Sequence, residues 1–398
     1  VLIGTAIVGD AHRPGAGPGI VLSFILSGVT CALAALCYAE FAAMIPVAGS
    51  AYTYSYATLG EFLAWLTGWN LILEYGVACV AVAIGWSGYF NNILKLCGFE
   101  LPYWATHPPG ADGGIANIPA AVIVLLVTGI LIVGLKESAR ATCGIVLVKL
   151  AVIVFFIAVG TSSVDMANWS PFMPFGFAGV GAAAAIVFFA YIGFDAVSTT
   201  AEEAKNPQRD LPIGIFASLG ICTLLYIAVA AVLTGLVPFS RIDIHAPVAE
   251  GLRVAGFKWG AAIVAVGAVA GITSVLVVMM LGQIRVFFAM SRDGLLGPWL
   301  SGVHPKFRTP HHATYLTGIA VAIMAALIPI GEAADMTNIG TLFAFVLVCI
   351  GIIVLRYTNP NHPRPFRMPF MPVIPLLGVL ACLGLMYFLP WMTWIRFF

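Results

Sequence analysis

The chain has 398 residues, of which 61% are hydrophobic and 9% charged, with a formal net charge of +1 and a mean hydropathy of +1.03. A soluble domain carries about 25% charged residues, so this composition excludes an ordinary water-soluble globule. With no long basic or acidic run it also offers nothing to nucleic acid or to another polyelectrolyte. The expected surroundings are a lipid bilayer.

The opening VLIGTAIVG is too short to span and reads as the tail of a helix. It is followed by ten apolar runs long enough to be membrane helices, since a span needs about 20 residues. In chain order they are Gly19 to Met44, Phe62 to Ile93, Ile118 to Leu135, Cys143 to Thr161, Gly179 to Thr200, Ile213 to Val237, Trp259 to Met290, Ala313 to Ile330, Met336 to Leu355, and Val373 to Pro390. A closing TWIRFF reads as the start of another, so both ends are expected to be cut inside membrane helices. The Pro- and Gly-rich stretch Leu94 to Ala116 reads as an irregular outer loop.

Basic residues fall mostly in alternate loops, among them Lys136, Arg140, Lys205, Arg209, Lys306, Arg308, Arg356 and Arg364. By the positive-inside rule those loops are expected to be cytoplasmic, which places Gly19 at the outer face of a cell membrane.

Four ionisable residues lie within or near the ends of these runs, where each is a functional candidate. Glu40, in CYAEFAAMIP, is a few residues from the cytoplasmic end of its run and reads as an interfacial carboxylate near water, outside the substrate site. Glu74, in GWNLILEYGVACV, reaches neither interface, so it is either bonded to a buried donor or placed to contact a substrate or a proton. Lys149, in IVLVKLAVIVFF, is about 9 Å from the cytoplasmic end of its run by the usual rise per residue. It either snorkels to the interface or faces inward as a proton carrier. Asp195, in AIVFFAYIGFDAV, follows Gly193 by two residues. Glycine does not hold a helix regular, so a break is expected here, with freed carbonyls and with Asp195 able to cap the resuming half. The alternative is an unbroken helix with Asp195 bonded to a neighbour. Broken helices at mid-depth belong to secondary transporters, whose half-helix ends hold anionic and cationic groups together, as a zwitterion requires.

Catalytic constellations are absent from the pattern. The seven histidines all fall in loops and no run holds a second aspartate, so neither a paired-carboxylate nor a zinc mechanism is expected. The eight cysteines, all but Cys97 inside apolar runs, show no disulfide or metal-ligand spacing. No metal or cofactor is expected.

The strings YAEFAAMIPVAGSAYTYSYATLGE, TGWNLILEYG, GLKESAR, VKLAVI, FFAYIGFDAVSTTAEEAKNPQRDLPIGI and MLGQIRVFFAMSRDGLL with HPKFRTP resemble the cationic amino acid transporter branch of the amino acid, polyamine and organocation superfamily. The resemblance runs through the chain in order. It implies an all-α polytopic membrane protein of the inverted-repeat, five-plus-five transporter fold with twelve helices. Helices two to eleven would be complete here, with the start of helix one and most of helix twelve missing. As one transmembrane domain, residues 1–161 would carry the end of helix one through helix five, 162–357 helices six to ten, and 358–398 helix eleven and the start of helix twelve.

The resemblance also implies roles. The carbonyls of Phe189, Ala190 and Ile192 would receive the substrate amine, with Gly193 at the break and Asp195 just beyond it. Lys149 matches the fifth-helix lysine that, in proton-coupled members, stands where sodium-coupled relatives bind an ion. Met279 would line the side-chain pocket, where a thioether offers no acceptor to a basic side chain and so favours a small neutral amino acid. Glu74 could offset that by supplying a charge. The implied activity is alternating-access, proton-coupled symport of small neutral L-amino acids, with exchange or uniport of cationic amino acids as the alternative. Whether a small membrane subunit accompanies the protein is open. The family's carboxylate-binding break in helix one is expected to precede the first residue, so the polypeptide as given is not expected to transport.

Overall fold

A computed structural model describes residues 2–10, 13–44, 50–109, 113–134, 139–195, 197, 204, 206–361 and 363–397. These form α1 (Leu2–Val8), α2 (Ile20–Met44), α3 (Ser50–Leu59), α4 (Glu61–Leu96), α5 (Ile118–Val133), α6 (Ala139–Thr161), α7 (Gly176–Val187), α8 (Pro207–Leu236), α9 (Pro247–Val254), α10 (Lys258–Arg292), α11 (His311–Leu327), α12 (Ile330–Thr358), α13 (Val373–Tyr387) and α14 (Trp391–Phe397). No strand occurs among the described residues, which hold a single bridge between Gly9 and Pro14.

Each of the ten apolar runs holds a helix, but not each helix is long enough to cross a bilayer alone. Among the described residues six are long and apolar enough, with α2 extended by a 3₁₀ turn at Gly17–Gly19 and α6 counted from Gly144. The 36 residues of α4 span about 54 Å at 1.5 Å per residue, well beyond the roughly 30 Å hydrocarbon layer. By contrast α5 has 16 residues and α11 has 17. The last run is followed by a bend of 113° between α13 and α14, so the closing helix departs steeply from the one before it. The fifth run is broken after α7.

Local chemistry sets these boundaries. Asn117 caps α5, its side chain accepting from Ala120 N at 3.2 Å, with Pro119 in the first turn where a missing N–H costs nothing. At the start of α8, Pro207 takes the corresponding place and Asp210 reaches back to accept from Asn206 N at 3.3 Å.

The described residues divide into two compact units, each built from three stretches of chain. The first comprises residues 1–21, 75–183 and 227–334, the second 22–74, 184–226 and 335–398. In the first, α5 packs along α11 and α6 along α10. Backbone and hydroxyl bonds fasten the ends of the former pair, Asn117 N donating to Ala326 O at 2.8 Å and Thr309 Oγ1 to Ile132 O at 2.8 Å. The second unit has an aromatic core. Tyr38 meets Phe345 at 5.5 Å and Phe194 at 5.9 Å between ring centroids, both edge-on, and Phe188 meets Phe345 at 5.9 Å. Rings from α2, α12 and the chain just after α7 therefore brace the broken segment from both sides of the break.

Candidate functional site: a broken helix with buried charges

The α-helical course of α7 stops at Val187 and tightens to a 3₁₀ turn over Phe188–Tyr191. Ile192 then swings to ψ 132° and Gly193 takes φ +113°, far from helical values. The alternative of a regular helix through Asp195 is therefore ruled out by the geometry. Asp195 is fully buried, and its Oδ1 accepts from Gly193 N at 3.2 Å. Its side chain thus satisfies an amide at the break itself. The resuming half that it was expected to cap lies largely outside the described residues.

The three carbonyls expected to receive an amine are not equally open. Phe189 O already accepts from Ile192 N at 3.3 Å, and Ala190 O accepts the Tyr226 hydroxyl at 2.7 Å. A carbonyl oxygen has two lone pairs, so each retains one acceptor position. Next to them, Tyr191 donates its hydroxyl to Phe24 O at 2.7 Å, tying the 3₁₀ turn to α2. The Tyr226 and Tyr191 bonds escaped the sequence reading because a tyrosine in an apolar run carries no mark of which carbonyl it will reach.

Glu74 is fully buried in α4, and neither of its carboxylate oxygens has a hydrogen-bond donor among the described residues. The Thr341 hydroxyl lies beside it but donates within its own helix, to Thr337 O at 3.0 Å. Asp195 is close enough for its charge to act on Glu74, so the structure brings these two candidates into one electrostatic neighbourhood. Unmatched buried acceptors are costly, and a donor entering this space would be held strongly.

Lys149 and Met279 belong to the first unit. The aliphatic stem of Lys149 passes 3.4 to 3.7 Å from where a Cβ on Gly271 would lie, so this α10 glycine makes room for it. The lysine is half-buried beside a cavity of about 260 Å³ lined by Gly144, Ile145, Val148, Gly267 and Ala270, and has no ion-pair partner among the described residues. Met279 lies eight residues further along α10 and is 8% exposed, a packed thioether.

Glu40 corrects the sequence reading. It is fully buried, whereas an interfacial carboxylate near water was expected. Arg356 grips it with two bonds, Nε to Oε1 at 2.8 Å and Nη2 to Oε2 at 2.6 Å. Arg364 Nε lies 3.2 Å from Oε1, and Met368 N donates to Oε2 at 2.8 Å. The physical reason is partner supply: near a helix end a carboxylate can stay in water or be enclosed by cations, and here the last turn of α12 provides Arg356 and the α12–α13 connection Arg364. Among the described residues no group of three His, Cys, Asp or Glu is placed to hold a metal ion.

The amino acid permease family matches residues 1–395. The methylthioribose transporter of Bacillus subtilis (strain 168) is 50% identical over 400 residues, covering 100% of this chain and 87% of its own length. The branched-chain amino acid permease BcaP of the same organism is 50% identical over 386 residues, 96% of this chain and 83% of its own. The vacuolar cationic amino acid transporter 4 of Arabidopsis thaliana is 38% identical over 364 residues, 89% of this chain and 60% of its own. A match this long, on a multi-pass helical chain with a broken apolar helix and buried charges, has one reading: the chain belongs to the amino acid permease family.

Proposed function

We propose that the protein is a secondary active transporter that moves small neutral L-amino acids by alternating access, in symport with protons, across the cell membrane. The observation that carries this reading is the break at Gly193, with φ +113° beside a fully buried Asp195, in an otherwise apolar helix. Irregular backbone is tolerated in hydrocarbon where it lines a cavity, and there it offers carbonyls to an ammonium group. On this reading Phe189, Ala190 and Ile192 present those carbonyls, the fold is a five-plus-five inverted repeat with the basic loops on the cytoplasmic side, Glu74 contacts the substrate, and Lys149 and Asp195 take part in proton movement. Glu74 supports the assignment because its buried oxygens have no donor among the described residues. The buried thioether of Met279 supports a neutral substrate, as does the 50% identity to a protein named a branched-chain amino acid permease.

The test is uptake of labelled leucine or alanine by the full-length protein in proteoliposomes. With an inward gradient of one pH unit, a one-to-one symporter concentrates its substrate by up to about tenfold, the equivalent of 1.4 kcal/mol. Uptake indifferent to the gradient but dependent on amino acid inside the vesicle replaces symport with exchange. Unlabelled methylthioribose belongs in the competition panel, given the other relative at 50% identity. If it competes and amino acids do not, the substrate assignment falls.

Two variants follow from the same reading. Lys149→Ala is expected to lower the accumulation ratio from about ten to about one while exchange persists; an unchanged pH dependence of uptake would remove Lys149 from coupling. Met279→Ser is expected to admit basic substrates, lowering the arginine concentration needed for half-inhibition about tenfold. Continued exclusion of arginine would show that another group sets the pocket's charge preference.

A further inference from the structure

A glycine permits the break at 193 but does not fix where the helix before it ends. When bonding tightens from i→i−4 to i→i−3, a carbonyl at the switch loses its helical donor and, in a water-free setting, must find one elsewhere. Two side chains reach this level of α7 from other helices. Ser27 Oγ of α2 donates to Ala184 O at 2.8 Å, and Asn338 Nδ2 of α12 donates to Ala185 O at 2.7 Å. Both donors are fully buried, and each is more than 150 residues from its acceptor in sequence. Neighbouring carbonyls are thereby held by two separate helices, one turn before the Phe188–Tyr191 segment begins to tighten. The amide of Asn338 is kept in this orientation although its own Oδ1 is buried without a donor among the described residues. Such a half-satisfied amide is costly, so the bond to Ala185 O outweighs the alternatives available at that site.

We propose that Ser27 and Asn338 are positioning residues: by clamping Ala184 and Ala185 they set the rotation and height of α7 at its end, and so fix where the carbonyls of residues 189–192 point. They act on affinity through the backbone. The proposal rests on the reading of this segment as the site of the substrate's amino group.

The experiment compares full-length parent, Ser27→Thr, Ser27→Val and Asn338→Leu in proteoliposomes, reading KM and kcat for labelled leucine alongside amide hydrogen exchange over residues 184–195. Threonine keeps the hydroxyl, and valine keeps threonine's shape without it. Ser27→Val and Asn338→Leu are expected to raise KM about tenfold, the equivalent of 1.4 kcal/mol and the scale of one buried hydrogen bond, with kcat changed less than about threefold and exchange faster around 188–193. Ser27→Thr is expected to keep the parent's KM. Unchanged KM in Ser27→Val and Asn338→Leu, in a parent that transports, overturns the proposal alone. So does a Ser27→Val protein that fails to fold while Ser27→Thr folds, since the bond would then serve stability only. A parent that takes up no amino acid overturns the reading of the site and this proposal with it.

Discussion

Glu40→Ala is expected to destabilise the protein by about 3–5 kcal/mol, the range found when one partner of a buried ion pair is removed. Its carboxylate receives both forks of Arg356, the Arg364 guanidinium and the Met368 amide. Alanine would leave two guanidinium groups with a shared deficit of negative charge. Arg364 would keep its bonds to Pro360 O and Asn359 O, at 2.9 and 2.8 Å, and Arg356 only its bond to Met368 O at 3.2 Å. The α12–α13 connection would then lose its attachment to α2. Thermal unfolding in detergent, followed by tryptophan fluorescence, should show a lower midpoint and faster loss of folded protein. Glu40→Gln keeps the shape and can accept from one arginine, so it should fall between alanine and the parent. Removing the whole cluster, as Glu40→Met with Arg356→Leu and Arg364→Leu, should cost less than Glu40→Ala because no buried charge is left without a partner. A midpoint for Glu40→Ala within about a degree of the parent's would mean that water reaches these arginines in the parent.

The Glu40 cluster also marks how far a one-dimensional reading carries. That each apolar run holds a helix was legible, because hydropathy is a property of contiguous residues, although only six of the described helices are long and apolar enough to span. The break was legible for the same reason, Gly193 and Asp195 being near neighbours with bulky apolar residues before them. The pairing of Glu40 with Arg356 was not, since 316 residues separate the partners and each alone looks like a charge at a helix end. Two helices were also missed. α9 (PVAEGLRV) is short and carries two charges in eight residues, and α3 (SAYTYSYATL) is polar on too many positions to be read as a span. The lengths of α5 and α11 depended on caps and on packing against each other, which hydropathy does not record. At the candidate site the residue types could be nominated, but the engagement of Ala190 O by Tyr226 is a fact of three-dimensional placement. That bond makes the amine site more occupied than residue identity implied.

Gly193→Ala should abolish transport while leaving the protein folded, and its interest lies in how cleanly it separates conformation from space. Among the described residues no atom lies within 4 Å of where a Cβ on Gly193 would stand, so none of them obstructs the added methyl. Its backbone, however, sits at φ +113°, beyond the left-handed region that L residues occasionally visit. Holding alanine there costs on the order of 1–3 kcal/mol, and the chain can escape that cost by rotating Gly193 toward negative φ. Doing so would turn the 193 amide away from Asp195 Oδ1 and shift the peptide planes that follow the Phe188–Tyr191 turn. Uptake in proteoliposomes should fall by at least about tenfold, the equivalent of 1.4 kcal/mol, and leucine should no longer raise the thermal midpoint of the purified variant. Gly176→Ala is the matching control: it too faces open space, but at φ +62° it lies within the left-handed region and outside the broken segment. Its cost should be about 1–2 kcal/mol, borne by stability alone. Parent-like uptake by both variants would mean that the backbone at 193 can relax without moving the carbonyls before it, which would separate the break from substrate binding. Loss in Gly193→Ala with retention in Gly176→Ala would tie transport to the backbone conformation at the break itself, because the two substitutions add the same atom where no described residue stands in its way.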